Sequence, residues 1–347
     1  MRNTWDWLLL AQIISVGLIS LLIIFSINSS LATNQFIYWI LGLITLYITS
    51  QFNYHSLKGV SNKMYFATLI SLILLLIFAD PIRGSVRWID LGAFRIQPSE
   101  IAKVASIILL AFYYKDKSAK EIQNVIGSFL LILPLTLFII IQPDIGNSLA
   151  IFAIWLGITV ASGLKFKYLF LLFAIGAIIL ILSYELLAPY QKNRILTFID
   201  PNIDPLGTGY NIIQSKIAIG SGQLLGRGFA QGTQSQLKFL PEAESDFIFA
   251  SITEQLGFAG AAVLTTIYAW LIIRIISFTK DKDRLGQLIL IGITTFLVTQ
   301  FTVNVGMNLA LLPVTGITFP LVSYGGSSLL TTLFLLGIVY SILRHNH

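Results

Sequence analysis

About ten apolar stretches recur along the sequence, most of them close to the roughly 20 residues that an α-helix needs to cross a hydrocarbon core. Only 11% of the residues are charged, against about 25% in soluble domains. A chain that lies in lipid must satisfy its backbone hydrogen bonds internally, and helices do so within one segment. The pattern therefore predicts an all-α, polytopic integral membrane protein.

We predict about ten transmembrane helices in a single membrane domain that covers residues 1–347. The predicted cores are Trp7–Ile27, Phe36–Ser50, Met64–Ala79, Ser99–Tyr113, Ile126–Ile141, Asn147–Ser162, Tyr168–Leu186, Phe247–Ser277, Leu285–Asn304 and Ser327–Leu343. A long connection, about residues 187–246, precedes the eighth helix. No soluble module and no internal repeat interrupt this arrangement.

The distribution of basic residues predicts the orientation of the chain. With the N-terminus inside, thirteen of the 22 Lys and Arg residues fall in cytoplasmic loops or ends, among them Lys115, Lys117 and Lys120, as the positive-inside rule requires. Both termini are then cytoplasmic, and the 187–246 connection is extracytoplasmic. The sequence has no cysteine, so no disulfide or thiolate metal site is possible. Its three histidines are too scattered to suggest a zinc site, and we assign no residue as a metal ligand. We expect no nucleic-acid partner.

Nine basic residues remain in or beside the predicted outer loops, where orientation alone disfavours them. They are Arg83, Arg87, Arg95, Lys103, Lys192, Arg194, Lys216, Arg227 and Lys238. Solvated loop charge is one explanation for any single member. For the set, cations beside a membrane suit an anionic lipid headgroup such as a diphosphate. We take Arg87 and Arg194 as candidates for binding such a group.

The stretch "QPSEIAKVAS" predicts a helix that begins near Pro98 and carries two charges on one face. Glu100 and Lys103 are three residues apart, so their side chains are neighbours on the helix surface. A lone charge facing lipid would be costly. The pair is either a structural ion pair that closes a helix bundle or part of a functional site, and the two readings are compatible.

Two further stretches predict backbone turns at the outer side. "QPDIGNSLA" joins two helices through Pro143, Asp144 and Gly146, with Asn147 placed to cap the second helix. "LLPVTGITFPLVSYGGSS" has two prolines and three glycines among apolar residues. Irregular backbone at membrane depth is tolerated where it is buried in protein or lines a cavity, so this stretch is expected to form a cavity wall.

Three acids, Glu242, Glu244 and Asp246, gather where the long connection meets the apolar run that starts at Phe247. Burial and neighbouring acids both raise the pKa of a carboxyl group, which favours a general base. Helix capping is the alternative role for Asp246, because Asp is among the commonest N-cap residues. We interpret Glu242 and Glu244 as ordinary loop acids.

Long, ordered stretches of the sequence resemble the SEDS family (shape, elongation, division and sporulation), and within it the RodA branch rather than the FtsW branch. The stretches are "RWIDLGAFRIQPSEIAK", "QPDIGNSLA", "GTGYNIIQSKIAIGSGQLLGRGF", "GTQSQLKFLPEAESDFIFASITEQLGF" and "PVTGITFPLVSYGGSS". The family's essential aspartate maps onto Asp246. Its "QPSE–AK" glutamate and lysine map onto Glu100 and Lys103.

The resemblance implies a peptidoglycan glycosyltransferase that polymerises lipid II on the outer face of the cytoplasmic (inner) membrane, together with a class B penicillin-binding protein. Asp246 is then the general base of an inverting transfer. Glu100, Lys103, Arg87 and Arg194 are substrate-binding or positioning candidates, and a divalent cation (Mg²⁺ or Mn²⁺) could assist the diphosphate. A lipid II flippase and a non-catalytic scaffold for the penicillin-binding protein are the alternatives. The unexplained charges cluster on one side of the membrane, which favours the enzyme.

Overall fold

The computed structural model describes residues 5–78, 87–90, 92, 95–183, 189–207 and 209–345. Within these ranges the chain forms thirteen α-helices and one short hairpin. The helices are α1 (Trp7–Ile27), α2 (Ser29–Gln51), α3 (Lys58–Phe78), α4 (Pro98–Lys115), α5 (Ile122–Ile141), α6 (Ile145–Ala161), α7 (Phe166–Ser183), α8 (Pro189–Ile199), α9 (Tyr210–Gly222), α10 (Thr233–Gln236), α11 (Ile248–Ser277), α12 (Arg284–Asn308) and α13 (Gly326–Arg344). Strands β1 (Ile89–Asp90) and β2 (Arg95–Ile96) pair antiparallel.

Each of the ten predicted spans overlaps one of these helices, α1–α7 or α11–α13. The ends of two spans, at residues 79 and 184–186, lie outside the described residues. Within the described residues, seven helices are long and apolar enough to cross a membrane: α1, α2, α3, α5, α11, α12 and α13. The prediction of an all-helical, multi-pass membrane protein is therefore confirmed. The count of ten also requires α4, α6 and α7, and it stays a prediction.

Helices α12 and α13 form the centre of the bundle, because most of their surface is buried, whereas α2, α3 and α5 expose most of theirs. α12 packs against α4, α6 and α11, and α13 packs against α2. Gly337 lets α13 approach α2 closely, since a Cβ atom there would lie 2.8 Å from the backbone oxygen of Leu46. Small residues commonly permit such backbone contact between membrane helices.

Helix α11 differs from the predicted continuous span because it is broken at Gly257, where φ is +67° and ψ is −169°. A Cβ atom on Gly257 would lie 2.3 Å from the backbone nitrogen of Gly226. The backbone of the 187–246 connection fills the break through four hydrogen bonds. In two of them α11 donates: Phe258 N to Gln223 O (2.8 Å) and Ala259 N to Leu224 O (3.0 Å). In the other two α11 accepts: Arg227 N donates to Glu254 O (2.9 Å) and Gly228 N to Gln255 O (3.1 Å). The groups that the kink releases thus regain partners, as non-helical backbone in a membrane protein requires.

The 187–246 connection contains α8, α9 and α10 and packs onto the bundle. Helix α9 covers the stretch "YNIIQSKIAI", and its buried residues are Ile212, Ser215, Ala218 and Gly222. The face that carries Ile213 and Ile217 lies away from this contact, and Ile217 is exposed. That arrangement fits a helix that lies on the membrane surface.

Candidate active site

Asp246 lies at the junction between the long connection and α11, and its residue is half-buried. The preceding segment is anchored because Leu240, Ala243 and Phe247 belong to a small apolar cluster. The carboxyl group faces the irregular segment 309–325: a Cβ atom built on Gly316 would lie 3.5 Å from Asp246 Oδ2. Phe247 occupies the N-cap position of α11. Asp246 is therefore not the N-cap residue, which was the alternative role considered for it.

Two asparagines of α12 fix the backbone at Asp246. Asn304 Nδ2 donates to the Asp246 carbonyl oxygen at 3.0 Å, and Asn308 Nδ2 donates to the same atom at 2.9 Å. Asn308 Oδ1 also accepts a hydrogen bond from Ala250 N at 2.9 Å. Ala250 lies in the first turn of α11, where N–H groups have no intrahelical acceptor. Asn308 therefore supplies a cap to α11 from a neighbouring helix.

The segment 309–325 forms a wall of irregular backbone beside Asp246, as the sequence predicts. That this wall lines a cavity stays a prediction. The segment contains neither helix nor strand. Asn304 Nδ2 donates to Ile317 O at 2.8 Å, Ser323 Oγ donates to Ser245 O at 2.6 Å, and Tyr324 N donates to Glu244 O at 2.8 Å. These bonds tie the wall to α12 and to the acidic stretch, so all three elements define the position of Asp246.

The other two acids of the cluster have local roles in this turn. Glu242 adopts a positive φ of +53°, and its Oε2 accepts a hydrogen bond from Ser245 Oγ at 3.0 Å. Glu242 O accepts bonds from Ser245 N and Phe247 N. Glu242 and the backbone of Glu244 thus shape the loop that presents Asp246, which agrees with their reading as loop acids.

Glu100 and Lys103 form an ion pair inside the bundle, with Lys103 Nζ 2.7 Å from Glu100 Oε1. Lys103 has no exposed surface, and Glu100 is 2% exposed. Nζ also donates to Asn147 Oδ1 at 2.9 Å and lies 5.3 Å from the centroid of the Phe296 ring. The predicted pair on one helix face is present, and its burial supports the interpretation that the pair stabilises the helix bundle. The assignment of either side chain to substrate stays a prediction.

Asp144 extends this polar cluster. Its Oδ2 accepts hydrogen bonds from Gln97 Nε2 (3.1 Å), Ser99 Oγ (3.3 Å) and Asn147 Nδ2 (2.8 Å). Its Oδ1 accepts from Asn147 N at 3.3 Å, which makes Asp144 the N-cap of α6. The prediction that Asn147 caps this helix was wrong, because Asn147 lies within the first turn and its N–H receives the cap.

Arg87 lies next to this cluster. Its Nε donates to Gln142 O at 3.2 Å, and its Nη2 donates to Pro143 O. The guanidinium therefore binds the turn between α5 and α6, at the two residues that precede Asp144. Arg194 lies within α8, but its side chain falls outside the described residues, as does Arg83.

The hairpin beside α4 holds a separate exposed ion pair, with Arg95 Nε 3.0 Å from Asp90 Oδ2. The hydrogen bond from Gly92 N, followed by that from Arg95, lowers the pKa of Asp90 below its usual value. Asp90 is thus an exposed carboxylate that stabilises its own hairpin, whereas Asp246 is half-buried.

Several buried polar residues of α11 and α12 were not predicted from the sequence as candidate site residues. Gln300, Asn304 and Asn308 are fully buried on α12, and their spacing of four residues places them on one helix face. Such a line of amides in an apolar helix was the available signal. Glu254 is also fully buried, and its carboxylate accepts bonds from Gln234 N (2.8 Å), Ser235 N (3.1 Å) and Ser235 Oγ (2.9 Å).

The fold and this site define a polytopic, all-helical membrane protein with a polar site at one end of its helix bundle. The sequence model of the FtsW/RodA/SpoVE family, described as "Cell cycle protein", matches residues 4–347. The chain belongs to this family, the SEDS family that the motifs resemble.

Named relatives and solved structures agree with this assignment. The peptidoglycan glycosyltransferase MrdB of Escherichia coli K12 is 39% identical over 308 residues, which cover 88% of this chain and 83% of that protein. A structure described as "Structural coordination of polymerization and crosslinking by a peptidoglycan synthase complex" matches with a TM-score of 0.85 at 28% identity, over 98% of each chain. The crystal structure of the rod shape determining protein RodA of Thermus thermophilus matches with a TM-score of 0.76 at 26% identity, over 100% of this chain and 99% of that one.

Proposed function

We propose that this chain is a peptidoglycan glycosyltransferase that polymerises lipid II into glycan strands during cell-wall elongation. The observation that carries the proposal is the position of Asp246. Asn304 and Asn308 fix its backbone carbonyl, Asn308 caps α11 through Ala250, and the carboxyl group faces the wall at Gly316. A preorganised carboxylate at the end of a membrane bundle suits a general base for a lipid-borne sugar.

In the proposed reaction Asp246 accepts the proton of the acceptor sugar hydroxyl. The hydroxyl oxygen forms a bond to the anomeric carbon of the donor while the bond from that carbon to the diphosphate oxygen breaks. The undecaprenyl diphosphate leaves with the electron pair, and the configuration at the anomeric carbon inverts. This displacement needs no covalent enzyme intermediate, so one base is sufficient. General base catalysis typically contributes about 10² to 10⁴ in rate.

Arg87 and Arg194 are proposed to bind the leaving diphosphate. Arg87 already donates to two carbonyl oxygens of the turn before α6. A guanidinium has five N–H donors, so the same group can hold the turn and bind an anion. Glu100 and Lys103 are proposed to position the site from within the bundle, because both are buried and bonded to each other at 2.7 Å.

A divalent cation, Mg²⁺ or Mn²⁺, would neutralise charge on the diphosphate. Among the described residues, no group of three or more His, Cys, Asp or Glu side chains is placed to hold a metal ion. The described residues therefore do not fit a metal site formed by the protein alone, and no step of the mechanism runs through one.

The proposed location is the cytoplasmic (inner) membrane, with both termini cytoplasmic and Asp246 at the outer side. The proposed partner is a class B penicillin-binding protein that crosslinks the new strands. The basic residues support this orientation because most of those in short connections lie at one end of the helices. The structural match to a peptidoglycan synthase complex supports an assembly of this kind.

The experiment is glycan polymerisation from purified lipid II in detergent micelles, with the partner present and its transpeptidase blocked. A micelle has no two leaflets, so polymer formation excludes a protein that only flips lipid II. If the partner without a glycosyltransferase domain is inactive alone and polymer appears on addition of this chain, a scaffold role is excluded as well. Absence of polymer from the assembled complex would contradict the proposal.

A further inference from the structure

Among the buried polar groups that have no hydrogen-bond partner within the described residues, two lie on the neighbouring helices α4 and α12. Gln300 on α12 is fully buried, and neither its Nε2 nor its Oε1 is bonded. Glu100 Oε2 on α4 is also buried and unbonded, although Oε1 of the same carboxylate binds Lys103. Buried polar groups in folded proteins nearly always have a partner, and an ordered water is a common one.

The packing of α4 against α12 brings these groups to the same level. Gly292 faces Ile107, since a Cβ atom on Gly292 would lie 2.9 Å from Ile107 Cγ2. One turn further along α12, Phe296 faces Lys103, whose Nζ lies 5.3 Å from the ring centroid. The helices are therefore antiparallel, and from this register, continued by one turn on each helix, we infer that Gln300 lies at the level of Glu100.

Gln300 also lies one turn before the residue that holds the catalytic segment. Asn304 donates to both Asp246 O and Ile317 O. At 1.5 Å per residue, about 6 Å of helix separates Gln300 from Asn304. The Glu100–Lys103 pair, Gln300 and Asn304 thus form consecutive layers that lead to Asp246.

We propose that Glu100 Oε2 and the Gln300 amide share a buried water site, and that Gln300 acts through it as a positioning residue for Asp246. Water matches these groups because it can donate to Glu100 Oε2 and to Gln300 Oε1 and accept from Gln300 Nε2. The shared site fixes α12 relative to α4, and Asn304 carries that position to the Asp246 carbonyl. The positioning role rests on the proposed function, whereas the water site does not.

A double-mutant cycle on thermal unfolding tests the water site. Gln300→Met keeps a side chain of similar length without polar atoms, and Glu100→Gln removes the charge. We expect the double variant to lose less in Tm than the sum of the two single losses, because both changes disrupt one shared site. The control is Gln12→Met: Gln12 has the same unpartnered buried amide but lies on α1, which packs against α2 and α11. Its loss should add to that of Glu100→Gln.

Additive losses for Gln300→Met and Glu100→Gln would overturn the shared site. Gln300→Leu repeats the cycle with a different apolar side chain, so that a poorly packed Met variant does not decide the outcome.

For the positioning role, Gln300→Met should lower kcat of lipid II polymerisation about 10- to 100-fold, as small displacements in an active site can, with KM unchanged. Gln12→Met should keep the wild-type kcat.

A wild-type kcat in Gln300→Met would overturn the positioning role. The two proposals fail in different ways. An inactive wild type would contradict the proposed function while the thermal cycle still tests the water site. An active wild type with additive Tm losses would overturn the water site alone.

Discussion

The side-chain oxygen of Asn308 accepts a hydrogen bond from Ala250 N at 2.9 Å, and its nitrogen donates to Asp246 O at 2.9 Å. One buried amide thus caps α11 and fixes the residue proposed as the base. The end of α12 therefore fixes the backbone of Asp246, and the Asp246 carboxylate is not the N-cap of its own helix.

Asn308→Ala should reduce both stability and activity. It removes the acceptor for Ala250 and a donor to Asp246, and leaving buried backbone groups unpaired costs about 1–3 kcal/mol. The control is Asn28→Ala, because Asn28 caps α2 through Ser30 N and Leu31 N. That change should lower stability by about 1 kcal/mol and leave polymerisation unchanged. Equal activity losses in the two variants would contradict the role of Asn308 at Asp246.

Charge reversal tests the Glu100–Lys103 pair. Glu100→Lys or Lys103→Glu alone places like charges together in a buried site, and loss of a buried ion pair costs about 3–5 kcal/mol. The double reversal should restore folding, as judged by a monodisperse elution profile in detergent. We expect the swapped protein to be folded and inactive, because Lys103 also binds Asn147. Wild-type activity in the swap would exclude a positional role for either group.

Gly257→Ala tests the break in α11. The added Cβ atom would meet Gly226 N at 2.3 Å in a backbone conformation that only glycine adopts easily. We expect a lower Tm and loss of activity as the connection is displaced. The matched control is Gly220→Ala in α9, where a Cβ atom meets nothing within 4 Å, so Tm should stay the same or rise slightly. A neutral Gly257→Ala would show that the kink is dispensable.

The sequence predicts the helices well because their length and apolar character are set by the lipid, which acts on each segment alone. It also predicts the irregular wall, since Pro313, Gly316 and Pro320 interrupt an apolar run. The kink at Gly257 was missed because the flanking residues continue the apolar pattern. Its cause is tertiary, namely the backbone of residues 223–228 that fills the break.

The site residues also divide into those that the sequence alone indicates and those that only the tertiary structure reveals. Asp246, Glu100 and Lys103 stand out as charges beside or within apolar helices, where charge is costly. Asn304 and Asn308 carry no charge; the sequence shows them only as a line of amides on α12, and their bonds to Asp246 require the tertiary structure. The cap of α6 was assigned to Asn147 instead of Asp144, because the sequence does not fix a helix start within a turn that contains both residues.

Cysteine labelling tests the proposed orientation. The chain has no cysteine, so single substitutions need no further changes. Leu237→Cys lies in the long connection at a residue that is 63% exposed, and it should react with an impermeant thiol reagent in intact spheroplasts. Lys120→Cys, in the exposed α4–α5 connection, should react only after lysis. The reverse pattern would refute the orientation.

Replacement of Asp246 by Asn tests the central claim most directly. Asn keeps the shape and hydrogen-bonding capacity of the side chain but removes the basic carboxylate. The measurement is the initial rate of lipid II polymerisation by the purified complex, with Asp90→Asn as the control for the same change at an exposed residue of the hairpin. We expect folded Asp246→Asn protein with a rate lowered about 10²-fold or more, and a wild-type rate for Asp90→Asn. A wild-type rate for Asp246→Asn would contradict its assignment as the general base.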